Sequence, residues 1–131
     1  MAAVLLDTTV LIDLLRGRSE AVARLSALRQ RGDLLTTTVV NVEEVARGLR
    51  PVEREAAGRL LAGVRLAWLG TAEGMRAGTW RREHAERGVT LSQADCLIAA
   101  AAVGAGATLA TGNPKHYPMP ELRLEHWPAG A

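Results

Sequence analysis

Apolar positions along the chain switch repeatedly between a continuous short-run pattern and a helical one. Residues 2–6 form a short apolar run that predicts a buried strand. The run stops at Asp7-Thr8-Thr9, and Val10, Leu11, Leu14 and Leu15 then recur at helical spacing up to Gly17. A second helix is predicted over 20–31, with Val22, Leu25 and Leu28 inward and Arg24, Arg29 and Arg31 outward. Gly32-Asp33 marks a turn, and the β-branched stretch 34–39 predicts a second strand. From Val40 the pattern is helical again, with Val42, Val45, Ala46 and Leu49 on one face and Gly48 near the end. Pro51 suits the first turn of the next helix, which runs through Leu60 and Leu61. Residues 64–69 predict a third strand closed by Gly70, and Thr71 then caps a long polar helix that stops near Gly88. Ser92 caps a strongly apolar helix through Val103, residues 108–110 predict a fourth strand, and 122–124 a fifth.

Strands that alternate with helices across short connections imply βαβ units. The expected fold is α/β: one domain over 1–131, with a mostly parallel sheet of four to five short strands and helices on both faces. The tail from about 126 is small and polar enough to be expected to fray.

Composition narrows the function classes. At 131 residues the chain buries roughly two-thirds of its unfolded surface. It has no Phe, so its core is aliphatic. A net charge of +2 does not mark a general polyanion binder, and the placement of charge matters more than its sum. Cys96 is the single cysteine, which excludes an intrachain disulfide and reads as a small core hydrophobe. No span is apolar for long enough to cross a membrane, and the opening residues lack a secretory signal. The expectation is a soluble cytoplasmic protein.

Candidate chemistry lies in acids at element boundaries. Asp7 stands at the carboxyl end of the first strand, the edge on which open parallel sheets build their sites. Thr8 and Thr9 are able to cap the following helix, which leaves Asp7 to project. Asp95 sits three residues past Ser92, a position that suits a capping box and also faces the strand edge. Glu43 and Glu44 are adjacent and cannot share a face. Glu44 lies four residues before Gly48 on the inward side, whereas Glu43 faces solvent within reach of Arg47. Asn113 follows the fourth strand in a Gly-Asn-Pro turn. Two carboxylates about 4 Å apart repel by roughly 4 kcal/mol at an effective dielectric of 20. Three converging acids therefore call for a proton or a cation. An oxygen-only set suits magnesium, because His84, His116 and His126 show no ligand spacing for zinc.

Four segments, in order, carry a resemblance. They are Leu6-Asp7-Thr8-Thr9-Val10-Leu11-Ile12-Asp13, Glu44-Val45-Ala46-Arg47-Gly48-Leu49, Leu91-Ser92-Gln93-Ala94-Asp95-Cys96-Leu97-Ile98-Ala99-Ala100 and Leu109-Ala110-Thr111-Gly112-Asn113-Pro114-Lys115-His116-Tyr117. Together they resemble the PIN-domain family and, within it, the VapC-type toxins of bacterial toxin–antitoxin pairs. The resemblance implies an endoribonuclease dependent on Mg²⁺ or Mn²⁺, with Asp7, Glu44, Asp95 and Asn113 as catalytic residues and Asp7 and Asp95 as the metal ligands. It also implies an RNA substrate, a homodimer and a cognate antitoxin. Asn113 stands where the family often has Asp, which favours one metal over two. Arg16, Arg18, Arg47, Arg50, Arg54, Arg81, Arg82, Lys115 and His116 are the candidates for phosphate contact. Two alternatives stay open at this point. One is a nuclease acting in RNA processing or on DNA. The other is a receiver-like phosphoacceptor module, which the lack of an acid after the third strand disfavours.

Overall fold

The first apolar run becomes the centre of the sheet because it is buried from both sides. In the computed structural model, which describes residues 2–131, β1 (Ala3–Leu6) is flanked by β2 (Leu34–Thr37) and β4 (Thr108–Thr111). β3 (Arg65–Leu66) and β5 (Leu124–His126) form the edges, and the order is β3-β2-β1-β4-β5 with every pair parallel. Six helices connect the strands: α1 (Thr8–Leu15), α2 (Ser19–Gln30), α3 (Val39–Arg47), α4 (Arg54–Ala62), α5 (Thr71–Glu86) and α6 (Gln93–Gly104). A 3₁₀ turn, Pro51–Glu53, leads into α4, and another, Pro114–His116, follows β4.

Successive strand side chains point to opposite faces, and this divides the core in two. Leu5 and Leu109 join Ala77, Trp80, Ile98 and Ala102 under α5 and α6. Val4, Leu6 and Ala110 join Val10, Leu11, Leu25 and Val45 under α1, α2 and α3. The parallel sheet with helices on both faces thus follows the sequence reading. So does Cys96, which is fully buried among apolar neighbours, and burial pushes its thiol pKa up. Gly88 has a φ of 79°, a conformation that glycine reaches without strain, and it stops α5 as its position predicts. Among the described residues no helix is long and apolar enough to cross a membrane.

Several details differ from the pattern. Val22 is 43% exposed, and Ala21 takes the inward place beside Leu25 and Leu28. Ala46 faces outward, while Asn41 occupies the inward position one turn before Val45. Gly70, not Thr71, caps α5, because Glu73 reaches back to accept from the Gly70 backbone N–H at 2.9 Å. The third strand shrinks to two residues: β2 ends at Thr37, and Thr38 turns away to cap α3. Beyond Ala67 there is no strand left to pair with. The fifth strand starts at Leu124, because a turn buries Leu122 in the core instead.

The tail is not frayed. Trp127 is 2% exposed, and its backbone N–H donates to the Thr111 carbonyl at 2.9 Å. Gly130 N–H donates to Asp13 Oδ2 at 2.9 Å. One buried indole outweighs the small, flexible residues around it. Trp127→Ala is accordingly expected to cost about 3–5 kcal/mol in a urea unfolding series. A loss within about 0.5 kcal/mol would mean that the tail contributes nothing.

Glu53, buried at the start of α4, accepts from Arg50 through both Nη2 and the backbone N–H, at 2.8 and 3.1 Å. The Arg50 hydrogen bonds hold its carboxyl at about 2, against an ordinary 4.5. The stabilisation from this depressed pKa is complete above 4.5 and is lost as pH falls toward 2. Acid titration of stability for Glu53→Gln is expected to be flatter than wild type across that window. Superimposable slopes would disprove the linkage.

Candidate active site

Asp7 occupies the first residue past β1, so the chain must turn there from strand to helix. Its backbone is extended, and Asp7 itself caps α1, with Oδ1 accepting from Thr8 N–H at 2.9 Å. The threonines are thereby released for other work. Thr8 Oγ1 donates to Glu44 Oε1 at 2.6 Å, and Thr9 Oγ1 accepts from Gly112 N–H at 2.9 Å. A side chain at Gly112 would meet Thr9 Oγ1 and Ala129 Cβ at 3.1 Å, so this close approach requires glycine.

Asp7 is 5% exposed, and a buried carboxylate needs donors in place of water. It has four. Oδ1 also accepts from Asn41 Nδ2 at 3.1 Å, and Oδ2 accepts from Thr111 Oγ1 at 2.7 Å and Tyr117 O–H at 2.9 Å. Asn41 is itself held by Thr38 in a capping box and also donates to Thr8 Oγ1 at 3.0 Å. Burial pushes the Tyr117 hydroxyl far above the ordinary phenol range, helped by the charges of Asp7, Asp95 and Glu44. Tyr117 therefore keeps its proton and serves as a fixed donor.

The predicted site residues come together. Asp7, Glu44, Asp95 and Asn113 line one pocket of about 460 Å³ at the carboxyl edge of the sheet, with Arg47 and His116 at its border. Glu44 and Asp95 are each about a quarter exposed. Glu44 Oε2 lies 4.0 Å from Arg47, and Asp95 Oδ2 lies 3.7 Å from His116 Nδ1. The Asp95 carboxylate accepts no hydrogen bond among the described residues, whereas its backbone N–H donates to the Ser92 cap at 3.0 Å. Asn113 is exposed, and its backbone N–H donates to Thr111 Oγ1. Glu43 stays outside, 3.7 Å from Arg47, as the helical spacing predicts.

Sequence reasoning missed the residues that hold Asp7. Thr38-Val39-Val40-Asn41 is a capping-box spacing with Asn in place of the usual Glu or Gln, and that signal was available. Tyr117 and Thr111 lie 110 and 104 positions from Asp7, and no local pattern announces their contact. His116, a sequence candidate for phosphate contact though not for metal, lines the same pocket. A receiver-like module is not supported, since β3 and the residues after it bring no acid to this edge.

Comparison with known proteins shows which family the chain resembles. The family model described as PIN domain matches residues 4–122. Ribonuclease VapC10 of Mycobacterium tuberculosis is 36% identical over 116 residues, covering 88% of this chain and 86% of that protein. Ribonuclease VapC19 of the same organism is 32% identical over 126 residues, covering 91% of this chain and 96% of that protein. In fold, the chain is similar to the toxin–antitoxin protein VapBC2 from Rickettsia felis, solved with a DNA fragment from its promoter. That match has a TM-score of 0.82 at 21% identity and covers 95% of this chain and 98% of the other. With its acids gathered at one sheet edge and a family match over nearly its whole length, this chain belongs to the PIN domain family.

Proposed function

We propose that the chain is a divalent-metal-dependent endoribonuclease acting as the toxin of a toxin–antitoxin pair. The observation that carries this reading is the convergence of Asp7, Glu44 and Asp95, with the Asn113 amide, on one open pocket. Relatives named as ribonucleases supply the reaction class. A structural neighbour solved as a toxin–antitoxin complex supplies the class of protein partner, and a homodimer is part of the same reading.

The donor set fits a hard cation: it is anionic, made of oxygen, and partly open to solvent. Among the described residues no three His, Cys, Asp or Glu side chains enclose an ion. The ion would therefore keep much of its water, as Mg²⁺ does, with Mn²⁺ as a substitute. Asp95 offers oxygens that accept no hydrogen bond among the described residues, and Asp7 adds a second carboxylate lining the same pocket. These two residues would hold the cation. When bound, it supplies Lewis-acid polarisation of the phosphate and acidifies a water.

The remaining work belongs to the chain. Thr8 fixes Glu44 Oε1, which leaves Oε2 to orient the attacking water and accept its proton. The water oxygen joins phosphorus as the bond to the 3′ oxygen breaks, leaving a 5′-phosphate and a 3′-hydroxyl. Arg47 and His116 border the pocket and offset the repulsion between its acids and the substrate. Asn113 holds an uncharged oxygen at the rim, consistent with a single cation.

Asp7→Asn and Asp95→Asn are expected to lower metal-dependent cleavage of RNA by about 10²-fold or more. Asn still caps a helix, so Asp7→Asn preserves the local fold. Expression without a partner is expected to arrest growth for the wild type alone. Undiminished cleavage by both variants would reject the assignment. Saturating Mg²⁺ is also expected to raise the thermal midpoint of the wild type, by linkage, and to leave that of Asp95→Asn almost unmoved. Equal shifts would place the ion elsewhere.

A further inference from the structure

Three arginines and one carboxylate line a cleft where α1 ends. Arg16 follows the last residue of α1, Arg18 stands at the N-cap of α2, and Arg50 precedes the Pro51–Glu53 turn. They line a single cleft of about 650 Å³, separate from the acidic pocket. Glu53 is the only acid lining it. Its Oε2 accepts from Arg50 Nη2 at 2.8 Å and lies 3.7 Å from Arg16 Nε, so one carboxylate is shared by two guanidinium groups. Arg18 has no carboxylate within ion-pair distance among the described residues. The cleft therefore carries two positive charges in excess.

Of the other candidate arginines, Arg54 and Arg82 line neither this cleft nor the acidic pocket. Arg47 faces Glu43 and Glu44, and Arg81 Nε donates to the Leu91 carbonyl. In the cleft, by contrast, the Arg16 and Arg50 side chains are 42% and 62% exposed. Each guanidinium has five N–H donors in a rigid fork, so donors remain after Glu53 is satisfied. That fork matches the paired oxygens of a phosphate. Glu53 orients two of the forks in advance, which lowers the ordering cost of a contact.

We propose that this cleft binds phosphates of the RNA strand next to the bond held in the acidic pocket. The inference rests on the ribonuclease reading and adds where the rest of the substrate lies. Continuity selects RNA over an acidic peptide. Arg47 borders the acidic pocket and Arg50 lines the cleft, and three residues span at most about 11 Å. The two sites are therefore close enough along the chain for one extended strand to reach both.

The test is binding of a fluorescein-labelled 12-nucleotide oligouridylate in EDTA, where cleavage is off, over a salt series. The variant is Arg16→Gln with Arg18→Gln, which keeps the Arg50–Glu53 pair intact. The control is Arg65→Gln with Arg87→Gln, an equal charge change at exposed positions outside both pockets. Thermal midpoints of both proteins confirm folding. The cleft variant is expected to bind about tenfold more weakly, with a log K against log salt slope reduced by about 1.4, while the control matches wild type. In Mg²⁺ its KM rises with kcat retained. Equal losses in variant and control would reduce the effect to net charge and overturn the proposal. An unchanged cleft variant would overturn it too and leave the cleft to an acidic protein segment. A wild type that neither binds nor cleaves RNA would defeat the ribonuclease reading itself, a result distinct from either.

Discussion

A carboxylate with almost no contact with water is tolerated only when donors surround it, and Asp7 obtains these donors from four separate parts of the chain. Thr8 supplies a backbone N–H from α1, Asn41 an amide from α3, Thr111 a hydroxyl from β4, and Tyr117 a hydroxyl from the segment after it. Hydrogen bonds to a charged group contribute about 1.5–3 kcal/mol each, and an unmet buried charge costs more. Any one of these segments out of place would leave that charge unpaid. The condition for burying the Asp7 carboxylate is thus also a condition for assembling the sheet edge. Folding and site construction are one constraint here.

The same edge gathers negative charge in a pattern that a folded chain holds only with compensation. Asp7, Glu44 and Asp95 border one pocket, and their combined field is felt by Tyr117, whose proton is bound more tightly as a result. Arg47 and His116 line the same pocket, Arg47 at 4.0 Å from Glu44 and His116 at 3.7 Å from Asp95, so each basic side chain stands beside one of the acids. A short distance along the surface, the charge reverses. Arg16 and Arg50 flank Glu53, whose depressed pKa keeps it ionised well into acid, and Arg18 lines the same cleft. A small net charge of +2 thus conceals two strong local fields of opposite sign. This is why overall charge says little about what such a protein binds.

Much of the plan was legible in the chain because it rests on local rules. The apolar run of β1, the helical spacing of Leu11 and Leu14, the Ser92 cap and the glycine stop at Gly88 each depend on neighbours within a few positions. Glu44 was separable from Glu43 because adjacent helical residues point about 100° apart. The errors share a cause as well. Val22 and Asn41 exchange their expected environments because periodicity marks a face but not which polar group finds partners there. The tail was misjudged from its composition, since a single Trp127 docked into the core decides its order. The third strand was overextended because its length depends on where β2 stops, not on its own residues.

What the sequence by itself determined is therefore the order and type of the elements and the position of each acid at an element boundary. Hydrophobic period and capping chemistry act within a few residues, and they are written locally. What only the tertiary structure decided is the company those acids keep: Asn41, Thr111 and Tyr117 around Asp7, His116 beside Asp95, and Arg16 and Arg50 beside Glu53. Those contacts join segments as much as 110 positions apart. Their partners are chosen by strand order and helix placement, which the packing of the whole chain sets.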